Sequence, residues 1–246
     1  MKSSSQNLFM SENKNKLTII LPIYNPHKGW SNELSNSLQL ISQSLKGTDC
    51  SFVLVNDGSS IKIDDQIDQI RQIIPNLVYL SYETNKGKGY AIRYGLKQSF
   101  SDYYIYTDCD FPFGEKSVTE VYQLLTTHKY DLVMGVRDPE YYETLPFSRK
   151  IISKSVQLFN FFITGFKVKD TQAGLKGFNS NIKEIFLSTK TDSFIFELEF
   201  IRKCLKHNIP FSFINISAKE GIKFSNFIFQ TLYKELKNGC KLLIRQ

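Results

Sequence analysis

The stretch IYTDCDF, residues 105–111, closes an apolar and aromatic run with two carboxylates, Asp108 and Asp110, two positions apart. The run reads as a strand over YYIYT, 103–107, because aromatic and β-branched residues suit a pleated, half-buried surface. Residues i and i+2 of a strand face one side, so the spacing predicts that the two carboxylates share a side. Two anions held that close are costly unless a cation sits beside them. Hard oxygen ligands suit Mg²⁺ or Mn²⁺, which take one or two carboxylates together with substrate phosphates. The same pair also suits a solvated turn after an edge strand, and the spacing alone leaves both readings open.

Outward from this stretch the pattern repeats. LTIILPI (17–23) reads as a buried strand stopped by Tyr24-Asn25-Pro26, followed by a helix over 31–45. SFVLV (51–55) is a second strand, ending at Asn56-Asp57-Gly58-Ser59, with a helix over 64–74 after it. LVYLSY (77–82) is a third, and KGKGYAIRYGLKQSF then opens with glycines and turns helical. Beyond 103–107 come a helix over 115–127 and a strand, DLVMGV, over 131–136. Such alternation predicts an α/β fold with a mainly parallel, doubly wound sheet flanked by helices. Ligands of such sheets bind beyond the carboxyl ends of the strands, where every one of these polar clusters falls. After Val136 the pattern becomes an amphipathic helix (146–163), a short strand (174–178), a helix (194–207), a strand (211–216) and a terminal helix (225–243).

The clusters carry distinct chemistry. Asp57, at the mouth of a central strand, can accept a hydrogen bond from a base N–H or a ribose hydroxyl, or cap the next helix. NKGKGYAIRYG, 85–95, has glycines that let backbone N–H groups approach an anion, with Lys86, Lys88 and Arg93 adding charge; simple helix entry is the alternative. It lacks the Gly-Lys-Ser/Thr ending of a P-loop. Arg137 closes a strand, and Arg149 and Ser153 lie i, i+4 on one helical face. Two guanidinium groups and a hydroxyl can clamp a phosphate oxyanion, or be ordinary surface charge, which suits Arg149 taken alone. VKDTQAGLKGF, 168–178, is polar enough to form a second wall.

Composition sets bounds. The 246 residues, 41% hydrophobic, suffice for one sizeable core. The formal charge of +7 suits an anionic partner or an ordinary lysine-rich surface. Four cysteines far apart and only three histidines speak against a disulfide framework or a zinc site. The polar head has no signal-peptide core, and no window approaches the roughly 18 apolar residues of a spanning helix. A reduced cytosolic setting fits, for a protein either soluble or attached to a membrane surface; the expected localisation is cytoplasmic, peripheral on the cytoplasmic face of a membrane.

Taken together the motifs resemble those of the family 2 glycosyltransferases of GT-A fold, and most of all the polyprenyl- and dolichyl-phosphate glycosyltransferase branch. LPIYNP resembles Pro-x-Tyr-Asn-Glu; VNDGS, Asp-Asp-Gly-Ser; NKGKGYAIRYG, Asn-x-Gly-Lys-Gly-x-Ala-x-Arg-x-Gly. TDCD stands at the Asp-x-Asp metal motif, MGVRD at Gly-Ser-Arg, DTQAGLKGF at Asp-Thr-Gln-x-Gly-Phe-Lys, and SFIFELEF at a Phe-Asp-x-Glu-Leu helix. The resemblance implies a metal-dependent hexosyltransferase over about residues 17–225. Pro22, Tyr24, Val55 and Asp57 would frame base and ribose, with Lys88, Cys109 and Gln172 in the same nucleotide-sugar set. Asp108 and Asp110 would hold the diphosphate through Mg²⁺ or Mn²⁺. Arg137, Arg149 and Ser153 would grip an acceptor phosphate, and Lys219 and Lys223 would close over the donor. The division it suggests is a flexible head (1–16), a catalytic domain (17–224) split into a nucleotide-sugar half (17–137) and an acceptor half (138–224), and a basic C-terminal helix (225–246).

This sequence departs from the family pattern in places. Pro26 replaces a Glu, Asn56 an Asp, and Phe111-Pro112-Phe113 stand where some mannosyl enzymes have a metal-binding Gln, which favours a glucosyl-like donor. The expected reaction is inverting transfer of a hexose from a nucleotide sugar to a polyprenyl phosphate. A lipid-linked glycan or other sugar hydroxyl is the alternative acceptor, and would require a carboxylate base, Glu197 or Glu199. A silent nucleotide-sugar-binding subunit of a surface-polysaccharide assembly is a further alternative. The segment 145–169, basic and apolar without an acid, suits an anionic membrane surface or packing on the domain. A membrane-protein partner is compatible with this; nucleic acid is not expected, because the basic residues form no stripe.

Overall fold

The computed structural model describes residues 14–128, 130–138, 150, 153–154, 157–158, 160–161, 164–165, 167–168, 170–171, 173–193 and 195–219. The head, the greater part of the amphipathic segment 146–163 and the terminal helix therefore lie outside the described residues.

The strands are β1 (Lys16–Ile23), β2 (Asp49–Asp57), β3 (Leu77–Tyr82), β4 (Tyr103–Tyr106), β5 (Leu132–Arg137), β6 (Lys176–Asn179) and β7 (Phe211–Ile216). They form one seven-stranded sheet in the order β3-β2-β1-β4-β6-β5-β7. Only β6 runs antiparallel to its neighbours, β4 and β5. The helices whose bounds fall within the described residues are α1 (Trp30–Ser44), α2 (Asp64–Ile73), α3 (Lys88–Lys97), α4 (Gly114–Thr127), α5 (Lys183–Leu187) and α6 (Phe196–Lys206).

The apolar runs of β1 and β2 are continuous because both faces are covered, as parallel strands require. Leu17, Ile19, Leu21, Phe52 and Leu54 join one core with α1, α2 and α4. Ile20, Val53 and Val55 join the other with α3 and α6. Each fully buried Ile or Leu contributes roughly 1.5–3 kcal/mol, so the two cores fix the register of the central strands. Arg93 on α3 belongs to this packing and adds no charge to a ligand site. It is 8% exposed, donates to Thr189 Oγ1 (3.1 Å) and Thr191 O (2.8 Å), and pairs with Asp192.

The parallel strands all end at one edge. β6 runs the other way, so it begins there, and the loop 170–175 enters the sheet at the edge where Asp57, Asp108 and Arg137 leave it. Wedged between β4 and β5, β6 also ties residues beyond 137 into the same sheet as residues before it.

Candidate active site

The strand β4 stops at Tyr106, so Asp108 and Asp110 lie on a turn and not on a strand as expected. The turn is closed by Phe111 N donating to Asp108 O (3.0 Å). Phe111 takes a left-handed φ of 44° with its ring 1% exposed, which costs backbone energy that the buried ring offsets. Cys109, between the aspartates, packs against the core. Burial, then Asp110 and Asp108, push its thiol up to about 12, so it stays protonated and neutral.

Asp108 is 40% exposed in its side chain and meets the ammonium of Lys88 at 2.6 Å through Oδ1. Burial alone would lower the pKa of Lys88, but Asp108 and Glu197 outweigh it and the net shift is upward. For Asp110, burial and then the charge of Asp108 raise the carboxyl, against the opposing pull of Lys88 and of His27 from the loop after β1. Asp108 thus bears on Asp110 across a turn, where the sequence pattern led us to expect a strand face.

The wall facing them is the loop of DTQAG. A Cβ built on Gly174 would lie 2.6 Å from Asp108 Oδ2 and 2.9 Å from Lys88 Nζ. An alanine here would have to push the ends of the Asp108 and Lys88 side chains aside. Gly174→Ala is expected to lower activity at least about tenfold by displacing Asp108, with far-ultraviolet dichroism unchanged; unaltered turnover would show that the wall yields freely.

Arg137, at the end of β5, grips Asp170 at the other end of the loop through Nε to Oδ2 and Nη2 to Oδ1, both 2.8 Å. Asp170 is 2% exposed. Burial would raise its carboxyl, but the hydrogen bonds and charge of Arg137 hold it below the usual range. A carboxyl lowered by folding adds stability that is present above its unfolded value, about 3.9, and disappears as pH falls through the folded one. Denaturant melts from pH 7 to 3 are expected to show Asp170→Asn less stable than wild type at neutral pH, the gap shrinking below about pH 4. A gap constant with pH would contradict the pairing.

The glycine-rich turn does hold an anion, but the anion is the chain's own. Asp57, 3% exposed, accepts from Tyr82 Oη (2.8 Å), Asn85 Nδ2 (3.0 Å), Lys86 N (2.7 Å) and Gly87 N (3.0 Å). A carboxylate offers about four acceptor sites, and these donors fill them. The expected phosphate cradle is therefore occupied internally, and Asp57 acts by shaping the entry to α3, where its charge also favours the helix N-terminus. Gly58 permits the close approach: φ is +67° and an added Cβ would fall 2.4 Å from Asn85 N.

The opposite rim is built from YNPHKG and NDGSS. Asn25 Oδ1 accepts from Ser60 N (2.8 Å), and Asn56 Oδ1 accepts from Ser59 N (3.0 Å). Asn56 thus forms the turn that an Asp would form, and its amide also donates to Tyr79 Oη (3.0 Å). Tyr24 is 52% exposed beside this rim. Pro22 pairs in register with Val55. Val55 is fully buried, with Cγ2 3.1 Å from the Cβ position of Gly95 on α3, so its side chain faces the core and only its backbone borders the rim.

Lys219 lies beside the acidic turn. Its N donates to Pro112 O (2.9 Å) and its ammonium meets Glu115 Oε1 at 2.8 Å. Ser37 Oγ also donates to Glu115. Ser153 is half-buried in a helical stretch. Arg149, Gln172 and Lys223 lie outside the described residues.

Both candidate bases lie buried against other groups of the chain. Glu199 accepts from Lys190 N (3.0 Å) and Thr191 N (2.9 Å). Glu197, 3% exposed, faces the ammonium of Lys176 at 2.9 Å. Sequence reasoning missed Lys176 as more than part of a polar wall, and a lysine opening a strand carries no signal of complete burial. For Arg93 a signal existed: it lies i+4 from Gly89 and i−3 from Leu96, on the buried face of α3.

Among the described residues no group of three or more His, Cys, Asp or Glu converges on one point. A divalent cation shared with a diphosphate needs only one or two carboxylates. Asp108 and the raised Asp110 fit that demand, since added positive charge would relieve their repulsion.

The family model for glycosyl transferase family 2 matches residues 18–186. Among proteins of known name, the chain is 25% identical to the dolichyl-phosphate beta-glucosyltransferase of Dictyostelium discoideum, over 92% of this chain and 76% of that one. It is 26% identical to the enzyme of the same name from Saccharomyces cerevisiae, over 83% of this chain and 67% of that one. Among solved structures, glucosyl-3-phosphoglycerate synthase from Mycobacterium tuberculosis, in complex with Mn²⁺, UDP and glucosyl-3-phosphoglycerate, superposes with a TM-score of 0.64. Identity there is 16%, over 94% of this chain and 79% of that one, so the likeness concerns the GT-A fold.

Proposed function

From the membership of this chain in glycosyl transferase family 2, we propose that it moves a hexose from a nucleotide sugar to a polyprenyl phosphate, with inversion at the sugar carbon. The observation that carries the choice of acceptor is the state of Glu197 and Glu199, both buried and already paired. A hydroxyl acceptor needs a base. A phosphate monoester, with its second pKa near about 6, arrives ionised and needs none. The names of the relatives from Dictyostelium discoideum and Saccharomyces cerevisiae agree with this reading.

In it, Asp108 and Asp110 would be the residues that hold Mg²⁺ or Mn²⁺ at the donor site. The cation, when bound, offsets negative charge on the departing nucleoside diphosphate. Lys88, in contact with Asp108, would add its own charge toward the diphosphate. The exposed ring of Tyr24 borders the base and Asp57 holds the rim in shape. Arg137, oriented by Asp170, faces the acceptor phosphate together with Arg149 and Ser153. The acceptor oxygen forms its bond to the sugar C1 as the C1–O bond to the diphosphate breaks, and the nucleoside diphosphate leaves with that bonding pair. Positioning and electrostatics then account for the catalysis. Lys219, now on Glu115, and Lys223 close over the donor.

No helix among the described residues is long and apolar enough to cross a membrane. In this reading a lipid acceptor is presented at a membrane surface, and the basic, apolar composition of 145–169 suits contact with it. The test is a screen of UDP-hexoses and GDP-hexoses against a polyprenyl phosphate with Mn²⁺, read by product mass. A hexosylated lipid phosphate is expected. Product with free sugar hydroxyls and none with lipid phosphate would overturn the choice of acceptor.

A further inference from the structure

Lys176 has no part in the chemistry above, yet it is 0% exposed at the site end of β6. Its ammonium lies 2.9 Å from Glu197 Oε1 and donates to Ala173 O at 3.0 Å. Burying such a pair costs several kcal/mol per ion, and apolar residues of like size often serve stability as well or better. Stability is therefore a poor account of why the pair is here.

Its placement offers a better one. The carbonyl that Lys176 grips belongs to the residue before Gly174, the glycine against Asp108 Oδ2 and Lys88 Nζ. The far end of the same loop is pinned by Asp170 on Arg137. Charges alternate along the whole line: Arg137, Asp170, Lys176, Glu197, Lys88, Asp108. Contacts of 2.6 to 2.9 Å join three of its neighbouring pairs.

We infer that the buried Lys176–Glu197 pair is a positioning device: it locks residues 173–175 against Asp108 and Lys88, and so sets the affinity of the site for a divalent cation bound to a nucleoside diphosphate. The inference rests on the proposed donor site, and its readout is binding, not transfer.

The experiment is calorimetric titration of UDP and of GDP, each with and without Mn²⁺, into wild type, Glu197→Gln and the double variant Lys176→Met/Glu197→Leu. The double variant removes both charges, so neither is left unpaired, and Glu197→Gln keeps volume and an acceptor for Lys176. Partners behind a metal's direct ligands typically change affinity about 10–100-fold. We expect a loss of that size in both variants for the Mn²⁺–nucleotide complex, with the double variant melting close to wild type. Wild-type affinity for Mn²⁺–nucleotide in either folded variant would overturn the inference. A wild-type protein that binds Mn²⁺–UDP or Mn²⁺–GDP but moves no sugar tells against the transfer reading alone.

Discussion

Asp110→Asn is expected to lower turnover about a thousandfold, the scale seen when one preorganised group that stabilises transition-state charge is removed. The amide keeps shape and volume but loses the charge that would draw a cation onto the diphosphate. The fold should not suffer. Burial and the neighbouring Asp108 already disfavour the ionised form of Asp110, so neutralising it removes a repulsion from the native state. The melting temperature should hold or rise, the trade of stability for function common at active sites. Steady-state rates and a thermal melt on the same preparation check both halves. Turnover within about threefold of wild type would dismiss the carboxylate as part of the site.

Lys176→Met, made alone, is expected to cost about 3–5 kcal/mol, because Glu197 is then left buried without its counter-charge. Against a total of about 5–15 kcal/mol for a typical domain, that is a large share. At about 2–4 °C per kcal/mol for a chain of this size, the melting temperature should fall by roughly 10 °C. Glu199 needs no such partner, since two backbone amides hold it, so the loss should be specific to the 176–197 pair. The check is a urea unfolding series on both single variants and the double. A Lys176→Met protein as stable as wild type would mean that Glu197 is not confined as the structure has it.

The strands were legible because their physics is local. LTIILPI and SFVLV are apolar on both faces, and both faces are covered. The polar clusters were legible as a set because parallel strands deliver their ends to one edge. What escaped depends on partners distant in sequence. Asp57 reads as a ligand group until Tyr82, Asn85, Lys86 and Gly87 are seen to fill its acceptor sites. The strand at 176–179 was expected nearly in place, but nothing local reveals that it runs antiparallel between β4 and β5. That single reversal is what carries Gly174 to Asp108. The short helix α5, KEIFL, was not anticipated, since five residues hold too little periodicity to register.

A cation between acidic side chains and a diphosphate would make this rim a donor site. Titration of UDP and GDP into wild type and Asp110→Asn, each with and without Mn²⁺, tests it most directly. One nucleotide is expected to bind wild type with Mn²⁺ present, to bind far more weakly without it, and to lose the metal's contribution in Asp110→Asn. Equal binding with and without Mn²⁺, unchanged by the substitution, would contradict it.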